Sequence, residues 1–278
     1  MSKFIPMCGL PRSGSTLLVN LLNQNPDITI SPDSILSTIV SGSQDSFTEA
    51  VSESQYDSDM SYKMFSNFCK SGITSWISTI SKTKYYIDKC RGWGHELDFL
   101  FNLFPETKII FIIRDLRGIA SSIEKIQKNT TMKYKGEFFF GDQQYDYNQE
   151  DLYISKVKTM FDSTMIRKNL ICLKELLDIR RENFENVKIV RYEDLMIEPH
   201  KTLEDVYDHL QIEKYDHDLS NIHQVGYHDS FFLPYGRHKI KKSLENINPY
   251  NFSVPDKVQN YLIESHPWYY EEFYPDQI

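Results

Sequence analysis

Arginine, glycine and hydroxyl side chains follow the first apolar segment of the chain. Residues 3 to 10 are predicted to form a buried strand, and leucines recur at helical spacing from residue 17. Between them stand Arg12, Ser13, Gly14, Ser15 and Thr16. A strand, a tight turn and a helix in this order direct several backbone N–H groups and the positive end of a helix dipole at one point. Such a turn is suited to bind a phosphate-like anion.

Two glycines, Gly9 and Gly14, bracket this turn as they do in the nucleotide-binding pattern G-x-x-x-x-G-K-[ST]. The position of the lysine is occupied by Ser15, and the cation lies earlier, at Arg12. The loop is therefore predicted to bind an anion other than the usual triphosphate. The alternative is a serine-rich helix start without a ligand, in which Ser13 caps the helix.

Length, charge and cysteine content limit the class of protein. A chain of 278 residues with a net charge of −8 is expected to form one α/β domain and not to bind nucleic acid broadly. The four cysteines form no C-x-x-C pair, which favours a reducing compartment. The first strand begins almost at Met1, and no apolar run is long enough to cross a bilayer. We therefore expect a cytoplasmic protein without a membrane span.

Further apolar segments alternate with helical patterns along the chain. Residues 85 to 89, 108 to 113 and 187 to 190 read as strands, and the second is an unbroken apolar run. This alternation predicts a mainly parallel sheet whose strand ends share one edge, where they collect Arg12, Lys89, Arg114 and Tyr192. Each cation alone could pair with Asp88 or Asp115. Three cations in an acidic protein instead indicate a ligand with more than one anionic group.

Two segments are interpreted from their local patterns alone. Residues 64 to 80 have amphipathic helical spacing that is expected to be interrupted at Gly72. The aromatic segment from residue 268 to residue 274 could stack on a ligand, but it is expected to pack on the core.

Three motifs in order resemble the sulfotransferases that use 3′-phosphoadenosine 5′-phosphosulfate (PAPS). Residues 9 to 18 resemble their 5′-phosphosulfate loop, Arg114 with Ser122 resembles their 3′-phosphate site, and residues 191 to 195 resemble their later R-Y-E-D-L segment. The order and spacing match from residue 4 to about residue 210, and the tyrosylprotein sulfotransferase branch has a lysine spaced as Lys89 is here. The resemblance implies a P-loop-like three-layer α/β sandwich with helices on both faces of the sheet.

The resemblance also implies a role for each position. The 5′-phosphosulfate would be bound by Arg12, Ser13, Gly14, Ser15 and Thr16. The 3′-phosphate would be bound by Arg114 and Ser122, and the adenosine by Tyr192. A late loop with Arg237 and Lys239 would close over the cofactor, and the product would be adenosine 3′,5′-bisphosphate.

Sulfuryl transfer needs positioning and electrostatic stabilisation more than covalent chemistry, because charge develops on the leaving oxygen of a loose transition state. Arg12, Lys89 and the loop N–H groups could stabilise that charge without a metal. A base must take the proton of the acceptor hydroxyl, and the glutamate that has this role in the tyrosylprotein branch corresponds to Asp33. The alternative for Asp33 is a hydrogen bond within its own turn after Pro32. The Lys-x-His pattern of the cytosolic branch is absent, since Arg91 stands at the position of the histidine.

The acceptor is not identified by the sequence. The chain is predicted to form a single domain spanning residues 1 to 278, with acceptor-side insertions near residues 34 to 84 and 129 to 151. The composition of these insertions suits a carbohydrate, a tyrosyl peptide or a lipid headgroup equally. Two other functions stay open. One is an atypical P-loop kinase acting on a nucleotide or small molecule, and the other is a catalytically inactive relative that retains nucleotide binding.

Overall fold

A parallel β-sheet lies at the centre of the protein. The computed structural model describes residues 2–129, 150–162, 164–178, 184–226, 240–244 and 247–278. Within these ranges the strands are β1 (Lys3–Gly9), β2 (Ile28–Ser31), β3 (Tyr85–Lys89), β4 (Ile109–Ile113) and β5 (Val187–Arg191). Their order is β2-β3-β1-β4-β5, and each neighbouring pair is parallel. The predicted parallel α/β architecture is confirmed.

Helices cover both faces of the sheet. They are α1 (Ser15–Leu22), α2 (Leu36–Ala50), α3 (Ser58–Ile80), α4 (Leu97–Leu103), α5 (Leu116–Asn129), α6 (Glu150–Phe161), α7 (Thr164–Asp178), α8 (Tyr192–Ile197), α9 (Pro199–Leu210), α10 (Asp256–Ser265) and α11 (Pro267–Phe273). One hydrophobic core packs α1 and α9 against the sheet, and a larger core lies on the opposite face. In the described part of the chain, no helix combines the length and the apolar character needed to span a membrane.

The central strands are apolar on both sides, which explains why they form the middle of the sheet. All five residues of β4 are buried, as are Ile5 and Met7 of β1. Strands that are covered on both faces have continuous apolar sequences of this kind. Met7 pairs with Lys89 on one side and with Ile110 on the other, so the carboxyl ends of β3, β1 and β4 meet at one edge.

Helix α3 continues through Gly72, and the predicted interruption there is wrong. Cys69, Ile73 and Ile77 are buried at one-turn spacing, so the packed face of the helix runs past the glycine. A Cβ at Gly72 would have no neighbour within 4 Å. An isolated, exposed glycine costs a helix only about 1 kcal/mol relative to alanine, and packing of the apolar face outweighs that cost.

The aromatic segment near the end of the chain packs on the core, as expected. Tyr269 and Tyr274 are buried. The Tyr269 hydroxyl donates a hydrogen bond of 2.8 Å to the Arg114 carbonyl oxygen, directly after β4. The Tyr274 hydroxyl donates one of 2.8 Å to Glu193, directly after β5. Helix α11 and the residue that follows it therefore hold the carboxyl ends of two strands.

Candidate active site

The turn between β1 and α1 reverses the chain through three residues with positive φ. These φ values are 155° at Gly9, 63° at Arg12 and 89° at Gly14. A Cβ at Gly9 would lie 2.2 Å from the Ile112 carbonyl oxygen, and one at Gly14 would lie 2.5 Å from the Tyr192 ring. Both positions therefore require glycine, whereas the backbone of Arg12 has a left-handed conformation that few residues other than glycine adopt.

Helix α1 begins without a side-chain cap at its N-cap residue, Gly14. The Ser13 hydroxyl instead donates a 2.6 Å hydrogen bond to the Leu10 carbonyl oxygen, and Ser13 is fully buried. The alternative in which Ser13 caps the helix is therefore wrong. Ser15 and Thr16 form the first turn of α1 and are half-buried. The N–H groups of a first helical turn have no partner within the helix, which suits them to bind an anion.

Four of the predicted site residues come together beside this turn. Nη1 of Arg114 donates a 3.2 Å hydrogen bond to the Arg12 carbonyl oxygen. Nε of Arg12 donates one of 3.2 Å to the Ser122 hydroxyl. The Arg114 guanidinium also lies over the Tyr192 ring, 4.1 Å from the ring centre. Two cationic side chains are thus held around one loop at the edge of the sheet, an arrangement that favours an anionic ligand.

Asp88 and Asp115, the two carboxylates considered above as ion-pair partners of the cations, contact other side chains. Asp115 forms a 2.6 Å ion pair with Arg117. Asp88 accepts hydrogen bonds from the Tyr86 hydroxyl at 2.8 Å and from the Trp93 indole at 2.7 Å. The ion-pair partner of Asp115 is therefore Arg117, which is not one of the cations predicted at the strand edge.

The turn that contains Asp33 lies against Lys89 at the end of β3. Lys89 is the last residue of that strand, and only 7% of it is exposed. The Ser34 N–H donates a 3.2 Å hydrogen bond to the Lys89 carbonyl oxygen, which holds the turn containing Asp33 against the strand end. Asp33 itself is exposed. A buried cation and an exposed carboxylate thus flank the side of the site next to α2.

A buried carboxyl beside Lys89 was not predicted to contribute to the site. Asp88 is fully buried, and burial raises its pKa. Its hydrogen bonds to Tyr86 and Trp93 fix the end of β3 and the turn that follows. The signal was present in the sequence, because Asp88 is an acidic residue within an otherwise apolar strand.

Glu193 is a second structural carboxyl that sequence reasoning missed. It is fully buried, and burial raises its pKa. It accepts hydrogen bonds from the Asp115 backbone N–H at 3.1 Å and from the Tyr274 hydroxyl at 2.8 Å. The glutamate of the R-Y-E-D-L segment therefore joins the ends of β4 and β5, and this joint positions Arg114 and Tyr192.

Two predicted cofactor-binding residues, Arg237 and Lys239, lie outside the described residues, as does most of the segment from 129 to 151. The residues just before the undescribed segment that contains Arg237 and Lys239 contact α1 and the turn after β2. The Val225 N–H donates to the side-chain oxygen of Asn20 in α1, and Gly226 packs against Pro32.

A parallel sheet with a glycine-bracketed anion loop after its central strand defines a P-loop-like α/β protein. Comparison with known proteins identifies the family within this class. Residues 5–217 match the model of the Sulfotransferase family, which is more than half of the chain. The chain therefore belongs to the sulfotransferase family.

Individual relatives agree with this assignment. The chain is 30% identical over 127 residues to the nodulation protein NoeE of Sinorhizobium fredii, a match that covers 42% of this chain and 30% of NoeE. Among solved structures, the sulfotransferase domain from the curacin biosynthetic pathway has a TM-score of 0.58 at 15% identity and covers 96% of this chain and 98% of that domain. The sulfotransferase domain of the Synechococcus PCC 7002 olefin synthase has a TM-score of 0.51 at 19% identity, covering 96% and 94%. At these identities the two structures establish the fold. The resemblance to the tyrosylprotein branch stays a prediction.

Proposed function

We propose that the protein transfers a sulfuryl group from PAPS to a hydroxyl or amine of an acceptor. The observation that carries this proposal is the contact of Arg12 with Ser122 and of Arg114 with the Arg12 backbone, beside the start of α1. PAPS carries anionic groups at two ends. A helix start and two arginines at one strand edge supply positive charge for both ends. Membership of the sulfotransferase family supports the same donor.

The donor-binding roles follow from where these side chains lie. The 5′-phosphosulfate is bound by the loop residues Arg12, Ser13, Gly14, Ser15 and Thr16. Ser13 contributes through its backbone, because its hydroxyl donates to Leu10. Arg114 and Ser122 bind the 3′-phosphate. Tyr192 contacts the adenosine and holds Arg114 in place through its ring.

PAPS supplies the sulfuryl group and leaves as adenosine 3′,5′-bisphosphate. Lys89 and Arg12 stabilise the negative charge that develops on the leaving oxygen. Asp33 takes the proton of the acceptor hydroxyl, which makes that oxygen the nucleophile. Two positively charged side chains are sufficient for this charge, so no metal ion is required. Residues 34 to 84 form the acceptor side, since they follow Asp33 directly.

Thermal-shift titration tests the choice of donor. Adenosine 3′,5′-bisphosphate without metal should raise the melting temperature, because a ligand at 100 times its Kd stabilises the folded state by about 2.7 kcal/mol. Stabilisation by ATP with magnesium, and none by the bisphosphate, would instead indicate a kinase.

An acceptor screen with sulfur-labelled PAPS tests the transfer itself. Carbohydrates, tyrosyl peptides and hydroxylated lipids are offered in parallel, and label on any of them supports the proposal. Binding of the bisphosphate without transfer to any acceptor would indicate a relative that has lost catalysis.

A further inference from the structure

An open groove of 440 Å³ lies between α2 and α3, on the proposed acceptor side of the molecule. One wall is the face of α2 that includes Ile39 and Gly42, and the other is formed by Phe65 and Phe68 of α3. Gly42 leaves the α2 wall open, because a Cβ there would have no neighbour within 4 Å. None of the residues used for donor binding contributes to this groove.

Large apolar side chains are exposed in and beside the groove. Phe68 is 67% exposed, Ile39 is 47% exposed, and Ile35, at the start of α2, is 60% exposed. Phe47 and Phe65 stack face to face across the two helices, with ring centres 4.4 Å apart. An exposed, contiguous apolar surface of this kind often marks a binding site.

Helix α2, which forms one wall of the groove, begins close to the end of β3. The Ser37 hydroxyl donates a 2.8 Å hydrogen bond to the Cys90 sulfur, which fixes the first turn of α2 directly after Lys89. Ile35 stands between Asp33 and this turn. From Thr38 to Phe47 the groove follows α2 for about 14 Å, at 1.5 Å per helical residue. An elongated ligand in the groove would therefore have one end near Asp33 and the other at the phenylalanines.

The chemistry of the walls favours an aliphatic occupant over a sugar or a charged peptide. The side chains that line the groove are apolar or carry single hydroxyls, and none is charged. The Ser43 hydroxyl already donates to the Ile39 carbonyl oxygen of its own helix at 2.8 Å. A sugar would leave hydroxyl groups facing aromatic carbon, whereas an alkyl chain would bury apolar surface on both sides.

We propose that the groove between α2 and α3 binds the apolar chain of the acceptor, and that the acceptor is an aliphatic chain with its hydroxyl at the Asp33 end. This inference rests on the proposed sulfuryl transfer, and it narrows the acceptor to one class. The apolar chain supplies binding energy, and Asp33 and Lys89 lie where its hydroxyl would react.

Two glycines allow a matched test. Gly42→Leu would place a side chain in the groove, and Gly72→Leu would place one on an exposed face of α3 that does not line it. Both glycines are within helices and have open space, so leucine should be tolerated at each.

Binding of linear primary alcohols of increasing length is measured by calorimetry without nucleotide, below the concentrations at which they aggregate. Affinity should rise about fourfold per methylene in the natural protein. Gly42→Leu should weaken binding at least about tenfold and reduce the increase in affinity per methylene, since a leucine in the groove prevents burial of the alkyl chain. Gly72→Leu should leave both the affinity and its dependence on chain length unchanged.

Transfer from labelled PAPS to the same alcohols is measured separately, so that the two proposals can fail independently. Chain-length-dependent binding that Gly42→Leu abolishes, without transfer to any alcohol, would show that the groove binds apolar chains but would overturn their role as the acceptor. The proposed function fails only if no acceptor in the wider screen is labelled either. Transfer that is equal for all chain lengths, or equal in the two variants, overturns the groove proposal. It is also overturned if Gly42→Leu converts a self-associating protein to a monomer in sedimentation velocity, because the groove would then bind a second copy.

Discussion

The guanidinium of Arg114 lies 4.1 Å from the centre of the Tyr192 ring. The same ring lies so close to Gly14 that a Cβ there would meet it at 2.5 Å. Tyr192 therefore separates the first turn of α1 from Arg114 and sets the distance between the two proposed anion sites.

Replacing Tyr192 tests this arrangement. Tyr192→Phe keeps the ring over Arg114 and should change the Kd for adenosine 3′,5′-bisphosphate by less than about threefold. Tyr192→Leu loses a cation–π contact of about 1–2 kcal/mol, so the Kd should rise about 5- to 30-fold. Calorimetry measures both values, and circular dichroism checks that the variants are folded. Equal weakening in the two variants would assign the effect to the hydroxyl instead of the ring.

Arg12 can be replaced without straining the loop. Arg12→Gly removes the guanidinium and suits the φ of 63°. Its unfolding free energy should stay within about 1 kcal/mol of the natural protein, because relief of the left-handed backbone offsets the greater entropy of glycine. Transfer from PAPS should fall at least about 100-fold. Labelled-sulfate assays and urea unfolding measure the two effects. Undiminished turnover in folded Arg12→Gly would remove Arg12 from the catalytic role.

The conformation of Gly14 predicts a stability effect. Gly14→Ala should lower the unfolding free energy by about 1–3 kcal/mol, because alanine is strained at a φ of 89° and its Cβ would meet Tyr192. The control is Gly72→Ala, which should raise stability by up to about 1 kcal/mol in an exposed helical position. Urea unfolding compares the two variants. A similar stability for both would mean that the turn is not held against Tyr192 in solution.

Asp33→Asn separates catalysis from donor binding. If Asp33 takes the acceptor proton, kcat should fall by about 10²–10⁴. The thermal shift produced by adenosine 3′,5′-bisphosphate should not change, since Asp33 is exposed on the acceptor side of the site. Full activity of this variant would leave Asp33 with a role only in its own turn.

The buried carboxyl of Asp88 predicts a pH dependence of stability. Burial raises its pKa, so the folded protein binds more protons than the unfolded chain between the ordinary aspartate pKa and the raised value. In this window the stability contributed by Asp88 decreases as pH rises, and above it the cost of the buried charge remains. Asp88→Asn removes the titration and should gain stability relative to the natural protein as pH increases. Urea unfolding at a series of pH values measures the difference, and a difference that is constant with pH would contradict the prediction.

The sheet and its site edge could be predicted because their signals are local. The apolar run of β4 identifies a buried strand, and parallel strands bring Arg12, Lys89 and Arg114 to one edge whatever their exact order. The glycines that bracket the loop are likewise evident from their spacing.

Features that depend on distant packing could not be predicted. The position of Gly14 is fixed by Tyr192, far along the chain, and no local pattern indicates this contact. Ser13 is a good helix cap by residue type, but the turn directs its hydroxyl to Leu10. The stack of Phe47 on Phe65 joins two helices whose relative placement is a tertiary property.

The hydrogen bond from Tyr269 to the Arg114 carbonyl oxygen links α11, near the end of the sequence, to the residue that follows β4. Arg114 in turn donates to the Arg12 carbonyl oxygen, so two successive hydrogen bonds connect α11 to the loop between β1 and α1. Proteolytic removal of α11 should therefore weaken nucleotide binding at a loop near the other end of the sequence.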